Sequence, residues 1–254
     1  WLDSSMTYSS AYFEKENDNL FDAQLNKYQK IAESLNLNEN SKVLEIGCGW
    51  GGFSTYAAKN FKSKIDAITI SKAQFEYASN KIQKEGLGEK VSIKFKDYRD
   101  IDTQYSNIAS IEMFEAVGKK YWEKYFDVVK NSLVKSGKAV LQIITIDEKR
   151  SFNYQSQPDF IQQYIFPGGM LPTKKELLEI NQKVGLDFSE VKSFGPSYAK
   201  TLNMWNNEFQ NSWQDLLQLG FNKRFKRMWE FYLAYCETGF ISKSTDVSHF
   251  LINK

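Results

Sequence analysis

The sequence is poor in cysteine, histidine and proline, with two, one and four of them in 254 residues. Two cysteines make no disulfide framework. Cys48 sits inside a glycine loop and Cys236 in an apolar helical pattern, so both read as free thiols of a reducing cytoplasm. A single histidine, His249, rules out a His-Cys zinc cluster, and no metal site is expected. A Ser-His-Asp triad would have to draw on the far C-terminal end. General-base work therefore falls to carboxylates, tyrosine or a bound anion. Long apolar runs are also missing. Stretches such as Ala139-Val140-Leu141 fall far short of the roughly 20 residues that span a bilayer. The polar N-terminus has no apolar h-region, so no signal peptide is expected. Trp1 is an unusual first residue and leaves room for residues upstream. Net charge is only +2, which gives no global drive towards nucleic acid.

The chain does carry a 42% hydrophobic fraction, enough for a sizeable core in one α/β domain over residues 1–254. The first 150 residues alternate short apolar strands with amphipathic helices, the pattern of a parallel sheet. Strands are expected at Lys42–Ile46, Ile65–Ile70, Val91–Phe95, Ile108–Met113 and Lys138–Ile146. Helices are expected from Phe53, from an N-cap at Ser71, and from Lys119 to Val134 with Gly137 as the stop. Residues 1–40 read as N-terminal cap helices. Residues 150–172 hold three of the four prolines and read as an irregular cap. Thr173 caps a helix to Val184, and a strand follows near Ser189–Phe194. Two aromatic-rich helices, about 198–218 and 221–238, precede a closing strand at Val247–Ile252. The insertions within 150–240 read as walls of a substrate chamber.

Strand one ends on Glu45-Ile46-Gly47-Cys48-Gly49-Trp50-Gly51-Gly52. Parallel sheets bind ligands at their carboxyl ends, and glycines there let backbone approach a ligand beside a helix N-terminus. The loop fits both G-x-G-x-x-G and the methyltransferase form E-x-G-x-G-x-G. Strand two ends without the acid expected for a nicotinamide ribose. Glu45 could meet the cationic amino-acid end of S-adenosylmethionine, and Asp97 follows strand three, where adenine contacts fall. Glu115 follows strand four and could equally be an acid placed on a helix dipole. Gln142 lies mid-strand, where a buried polar group needs a partner. Phe114, Tyr164, Phe166, Tyr198 and Trp205 offer aromatic faces for a cationic intermediate. The run from Lys223 to Trp229 mixes basic and aromatic residues. It is either a solvated face over core aromatics or a contact with anionic headgroups.

More specific motifs join this loop. They are Met6-Thr7-Tyr8-Ser9, Thr69-Ile70-Ser71 with Gln74, Asp97-Tyr98-Arg99-Asp100, Met113-Phe114-Glu115, Tyr164-Ile165-Phe166-Pro167-Gly168-Gly169, and Gly195 with Tyr198 and Trp205. Through them the chain resembles the cyclopropane-fatty-acid synthase family, including the mycolic acid cyclopropane synthases, over essentially its whole length. The resemblance implies a Rossmann-like class I S-adenosylmethionine-dependent methyltransferase, with a mostly parallel seven-stranded sheet and helical insertions forming a lipid-binding cap. It implies methyl transfer to a cis double bond of a phospholipid acyl chain, then proton loss and ring closure, in a cytoplasmic protein that visits the membrane surface. Tyr8, Ser9, Glu45, Gly47, Gly49, Thr69, Ser71, Gln74, Asp97, Tyr98 and Ile111 would line the cofactor site. Ser10, Glu115, Gln142, Ile144 and Tyr198 would anchor a bicarbonate ion that takes the proton. Ser10 stands where the best-known members carry cysteine, and Gln142 and Ala116 where they carry histidine. Glutamine donates a hydrogen bond but carries no proton, so a methyl or methylene branch stands beside the ring as product. The rival readings are an N-methyltransferase of small amines on the same scaffold and a nonenzymatic lipid- or nucleotide-binding descendant. The oligomeric state, a homo-oligomer included, is left open.

Overall fold

A computed structural model describes residues 1–254. Seven strands form one sheet: β1 (Lys42–Ile46), β2 (Lys64–Thr69), β3 (Val91–Phe95), β4 (Tyr105–Ile111), β5 (Leu133–Ile146), β6 (Asp187–Ser193) and β7 (Thr245–Asn253). Their order is β3-β2-β1-β4-β5-β7-β6, with β7 antiparallel to both of its neighbours. The reversal of strand order lies between β1 and β4, where an open α/β sheet leaves a crevice. Central strands are buried on both faces, as crossover helices require.

One core layer joins the sheet to α4 (Trp122–Ser132) and α6 (Lys174–Val184) through Phe114, Tyr125, Phe126 and Leu177. The other joins it to α1 (Leu20–Leu35), α2 (Gly52–Phe61) and α3 (Lys72–Lys84) through Tyr28, Ile31, Phe53 and Ile82. A third cluster lies above the strand ends. There α7 (Gly195–Asn211), α8 (Trp213–Gln218) and α9 (Lys223–Ile241) pack on residues near the N-terminus. The expected cap over 150–172 contains α5 (Glu148–Ser156) and a π-helical turn at Ile161–Ile165.

Local chemistry sets several boundaries. Ser71 caps α3 through the Gln74 N–H. Thr173 and Glu176 form a reciprocal capping box on α6, in which each satisfies a backbone N–H left free by the first turn. Thr173→Ala is expected to cost about 1 kcal/mol and to lower the thermal midpoint by about 2–4 °C. An unchanged midpoint in calorimetry would show that the cap contributes nothing.

Three expectations are corrected. Residues 1–19 contain no helix and form an extended strap, so α1 is the single helix of the N-terminal cap. The helix expected to reach Val134 stops at Ser132, and Gly137 lies inside β5. There Leu133 already pairs with Tyr105, and the β4–β5 register shifts before Asn107 pairs with Lys138. Ser136 turns left-handed at this irregularity, and a Cβ on Gly137 would sit 2.9 Å from the Val134 carbonyl oxygen. Gly137 therefore allows close backbone approach at a bulge rather than ending a helix. The helix expected over 198–218 starts at Gly195 and is divided at Ser212.

Candidate active site

A cavity of about 1090 Å³ opens at the carboxyl ends of β1 and β4. Its floor is the glycine loop. Gly47 and Gly49 have φ of 79° and 52°, a region that disfavours residues with a Cβ. A Cβ on Gly49 would meet nothing within 4 Å, so that residue turns bare backbone onto open space in the cavity wall. This cradle, beside the N-terminus of α2, fits a nucleotide-like cofactor. Tyr8, Ser9, Glu45, Gln74 and Ile111 line the same cavity. Thr69, Ser71, Asp97 and Tyr98 stand outside its lining, at the adjacent ends of β2 and β3. Thr69 donates its hydroxyl hydrogen to Gln74 Oε1 at 2.8 Å. Asp97 is held by Arg99 at 2.7 Å, which keeps its carboxyl below the usual range. Glu45 is enclosed and accepts from the Ser54 hydroxyl. Burial pushes its carboxyl up to about 8.

Beyond the glycine loop the cavity reaches two carboxylates set three residues apart. β4 ends at Ile111, and Glu112 then adopts φ 49°, a left-handed conformation that costs a non-glycine residue about 1–2 kcal/mol. Its N–H still donates to the Gln142 carbonyl at 2.9 Å. This kink, followed by the turn Phe114–Ala116, brings Glu112 and Glu115 to the same cavity. Strain of this kind concentrates at functional sites.

Glu112 was not among the residues read from the sequence, yet it is the centre of the site. Its carboxylate accepts from the Ser10 N–H at 2.8 Å, from Gln142 Nε2 at 2.7 Å and from the Tyr198 hydroxyl at 2.7 Å. Glu115 accepts from the Ile144 N–H at 2.6 Å, and its other oxygen is buried without a partner. The four donors that the resemblance assigns to bicarbonate thus all end on protein carboxylates. The protein supplies its own carboxylates as partners for these donors. Ser10 acts through its backbone, because its hydroxyl donates to the Ala11 carbonyl at 2.9 Å. The change from cysteine is accordingly mild. The doubled acid in Glu112-Met113-Phe114-Glu115, placed at the end of a central strand, is the signal that could have found Glu112.

Gln142 is oriented from behind. Its Oε1 is 2.9 Å from His249 Nε2, and a carbonyl oxygen requires the proton on that nitrogen. Burial holds His249 neutral, with its pKa pushed down to about 3. The only histidine is thus a fixed donor that turns Gln142 Nε2 towards Glu112. It is not an acid-base group.

The two carboxylates differ in surroundings. Burial raises both, and for Glu112 it is opposed by the Tyr198 hydroxyl, Lys27, the Ser10 N–H and Gln142. Glu115 has far less support. Burial and the neighbouring Glu112 push it up to about 8. Both carboxyls are pushed up, and the three donors on Glu112 favour its ionised form over that of Glu115.

The remaining walls are apolar and aromatic. Phe166, Tyr198 and Tyr232 line the cavity, and the Tyr8 hydroxyl is 2.8 Å from that of Tyr232. The Met170 N–H donates to the Glu115 carbonyl at 2.8 Å, which docks the Pro167-Gly168-Gly169 turn on the acid's own backbone. Phe114 packs instead with Trp122, Tyr125 and Phe126 in the core, Trp205 is buried behind the wall, and Tyr164 is exposed. In the 223–229 stretch, Phe225 and Trp229 stack on each other and pack on the cap core, while Lys226 lies over the Trp213 ring. Lys223, Arg224 and Arg227 remain exposed.

The strand order with antiparallel β7, together with the glycine loop after β1, defines a class I S-adenosylmethionine-dependent methyltransferase fold. The sequence profile of the mycolic acid cyclopropane synthetases matches residues 1–250, and the chain belongs to that family. It is similar to a tuberculostearic acid methyltransferase of Mycobacterium tuberculosis, UfaA1, with 37% identity over 255 residues, covering 97% of this chain and 60% of the relative. It is equally similar to the cyclopropane-fatty-acyl-phospholipid synthase of Escherichia coli K12, with 37% identity over 239 residues, covering 94% of this chain and 60% of the relative. The chain thus spans about 60% of the length of these curated relatives. Among solved structures, the mycolic acid cyclopropane synthase CmaA1 complexed with SAH and CTAB superposes with a TM-score of 0.91 at 26% identity, covering 100% of this chain and 92% of that one.

Proposed function

We propose that this chain methylates the cis double bond of an unsaturated phospholipid acyl chain, giving, after loss of a proton, a cyclopropane, a methylene branch or a methyl branch on a chain that keeps its double bond. The observation that carries the reading is the single cavity that joins a bare-backbone glycine cradle, two buried carboxylates and an apolar, aromatic wall. Bound S-adenosylmethionine would supply an electrophilic methyl group at the cradle.

The chain's own residues do the rest. Attack by an alkene leaves positive charge on carbon, so water must be kept out, and the walls around Phe166, Tyr198 and Tyr232 do this. Their ring faces also stabilise a cation. Glu112, held ionised by three donors, accepts the proton that must be lost. It acts in place of a free bicarbonate. Glu115 stays protonated beside it and keeps the net negative charge of the pair near one. Adenine and ribose contacts from Thr69, Ser71, Asp97 and Tyr98 complete the cofactor site in this reading.

No helix is long and apolar enough to cross a membrane. The rim of the cavity offers another route to lipid. Phe231 and Tyr235 line it and are half exposed, with Phe152 and Tyr164 also exposed on the neighbouring cap. Such a rim suits peripheral contact with a bilayer, from which an acyl chain enters.

The test is expression in a host with unsaturated lipids, followed by mass spectrometry of its fatty acids. A gain of one CH₂ unit is expected, and it should fall to near background in Glu112→Gln, which removes the acceptor. Unchanged lipids despite soluble protein that binds S-adenosylhomocysteine would overturn the reading. Proton NMR of the product then separates a ring from a branch.

A further inference from the structure

Lys27 is 0% exposed and sits on the inward face of α1 among Ala23, Tyr28 and Ile31. Its one hydrogen bond runs from Nζ to the Ser9 hydroxyl oxygen at 2.7 Å, and its ammonium lies 4.8 Å from the Tyr28 ring centre. Enclosing an ammonium without a direct counter-ion is expensive, and an apolar residue of similar volume would pack there at lower cost. A purely structural role does not account for it.

The surroundings do. Asp3 from the strap, Glu45 from the end of β1 and Glu112 from the end of β4 all lie within electrostatic reach of the ammonium, Glu112 with the largest effect. The neutral His249 ring on β7 and the Tyr28 phenol on α1 also lie near it, while Glu112 itself is faced by the Tyr198 hydroxyl from α7 and by Glu115 from the following turn. One turn earlier on the same helix face, Gln24 donates to the Ser9 carbonyl at 2.9 Å. Lys27 and Gln24 therefore grip both polar ends of Ser9. The next residue, Ser10, delivers its N–H to Glu112, while Tyr8 and Ser9 themselves wall the cofactor cavity.

We propose that Lys27 is a positioning residue for proton removal: its charge keeps the Glu112 carboxylate ionised, and its bond to Ser9 fixes the strap that presents the Ser10 N–H to that carboxylate. The proposal rests on Glu112 being the proton acceptor. Burial pulls the ammonium down to about 7, against the opposing pull of Glu112, Asp3 and Glu45. It therefore carries its charge below neutral pH, where Glu112 most needs support to stay ionised.

Two variants separate charge from hydrogen bonding. Lys27→Met removes both, whereas Lys27→Gln keeps a donor for Ser9 and removes only the charge. Loss of a nearby positive charge raises a carboxyl pKa by about one unit or more. In both variants the acid limb of the turnover-versus-pH profile is expected to move up by about that much. At pH values below the wild-type acid limb turnover should fall by up to about tenfold for each pH unit that the limb moves, and it should return to near the wild-type rate at the alkaline end. A wild-type acid limb in Lys27→Gln, or a loss of rate that is equal at every pH, overturns the proposal. If Lys27→Met does not fold, Lys27→Gln carries the test alone. A second readout needs no lipid turnover: the Glu112 side-chain carboxyl can be followed by carbon NMR, assigned through Glu112→Gln. Its midpoint should rise in Lys27→Gln. An unmoved midpoint overturns the role of Lys27, whereas a raised midpoint with no lipid product would count against the proposed reaction alone.

Discussion

Replacing Glu112 with glutamine is expected to cut methyl-transfer turnover by about 10²–10⁴-fold, the usual contribution of a positioned base, while S-adenosylhomocysteine binding stays within a few-fold of wild type. The amide preserves the volume but cannot take a proton. The wild-type rate should fall as pH drops through the Glu112 pKa, because the protonated carboxyl is no longer an acceptor. Glu112→Gly is more revealing still. It relieves the left-handed backbone at φ 49° and leaves the Ser10 N–H, Gln142 Nε2 and Tyr198 hydroxyl facing the space that the side chain filled. Those donors suit a small oxyanion. The glycine variant should be nearly inactive in carbonate-free buffer and recover as bicarbonate is added. Wild-type turnover of Glu112→Gly without bicarbonate would show that this carboxylate is not the acceptor.

The second large effect lies at the cofactor cradle. Gly49→Val places a β-branched side chain at φ 52°, a costly conformation for such a residue, and fills the open space in front of the loop. Affinity for S-adenosylhomocysteine, read by calorimetry, is expected to fall by more than about 100-fold. Two effects of the order of 1–2 kcal/mol each, strain and occlusion, suffice for this. The fold should survive, since the added atoms meet no protein atom within 4 Å of the Cβ position. Near-normal affinity would mean that the cofactor does not approach the loop at Gly49.

The sheet was readable where local signals and tertiary contacts agree. β1 and β3 begin and end where the alternation of apolar runs and turn residues places them. Ser71 and Thr173 cap helices because their hydroxyls satisfy N–H groups a few residues away, an interaction wholly local to the sequence. Gly137 misled because its reason is only partly local: besides the Val134 carbonyl, the Ser106 carbonyl of another strand lies 3.2 Å from where its Cβ would be.

The site divides in the same way. Gln142, Tyr198 and the Ser10 N–H meet on Glu112, and the Ile144 N–H on Glu115. Glu112 was hidden, because nothing in a strand-terminal Glu announces a left-handed turn or three donors drawn from residues 10, 142 and 198. Lys27 was hidden too, since a lysine on a helix normally reads as solvated. Only the packing of α1 against the strap reveals it as enclosed. His249 was visible as a lone histidine, but its role depends on a neighbour in another strand.

That neighbour relation has an outcome of its own. Gln142 stands opposite Ile111 in the parallel β4–β5 ladder and opposite His249 in the antiparallel β5–β7 ladder. Side chains alternate strictly between the faces of a sheet, so a slip of one position sends every residue of a strand to the other side. A single-residue deletion upstream in β5 would thus replace the amide donor with Ile143 and leave both Glu112 and His249 facing a hydrocarbon. Strand register is therefore itself part of the catalytic design. The bulge around Ser136 and Gly137, remote from the cavity, is the place where the chain can absorb a length change before it reaches Gln142.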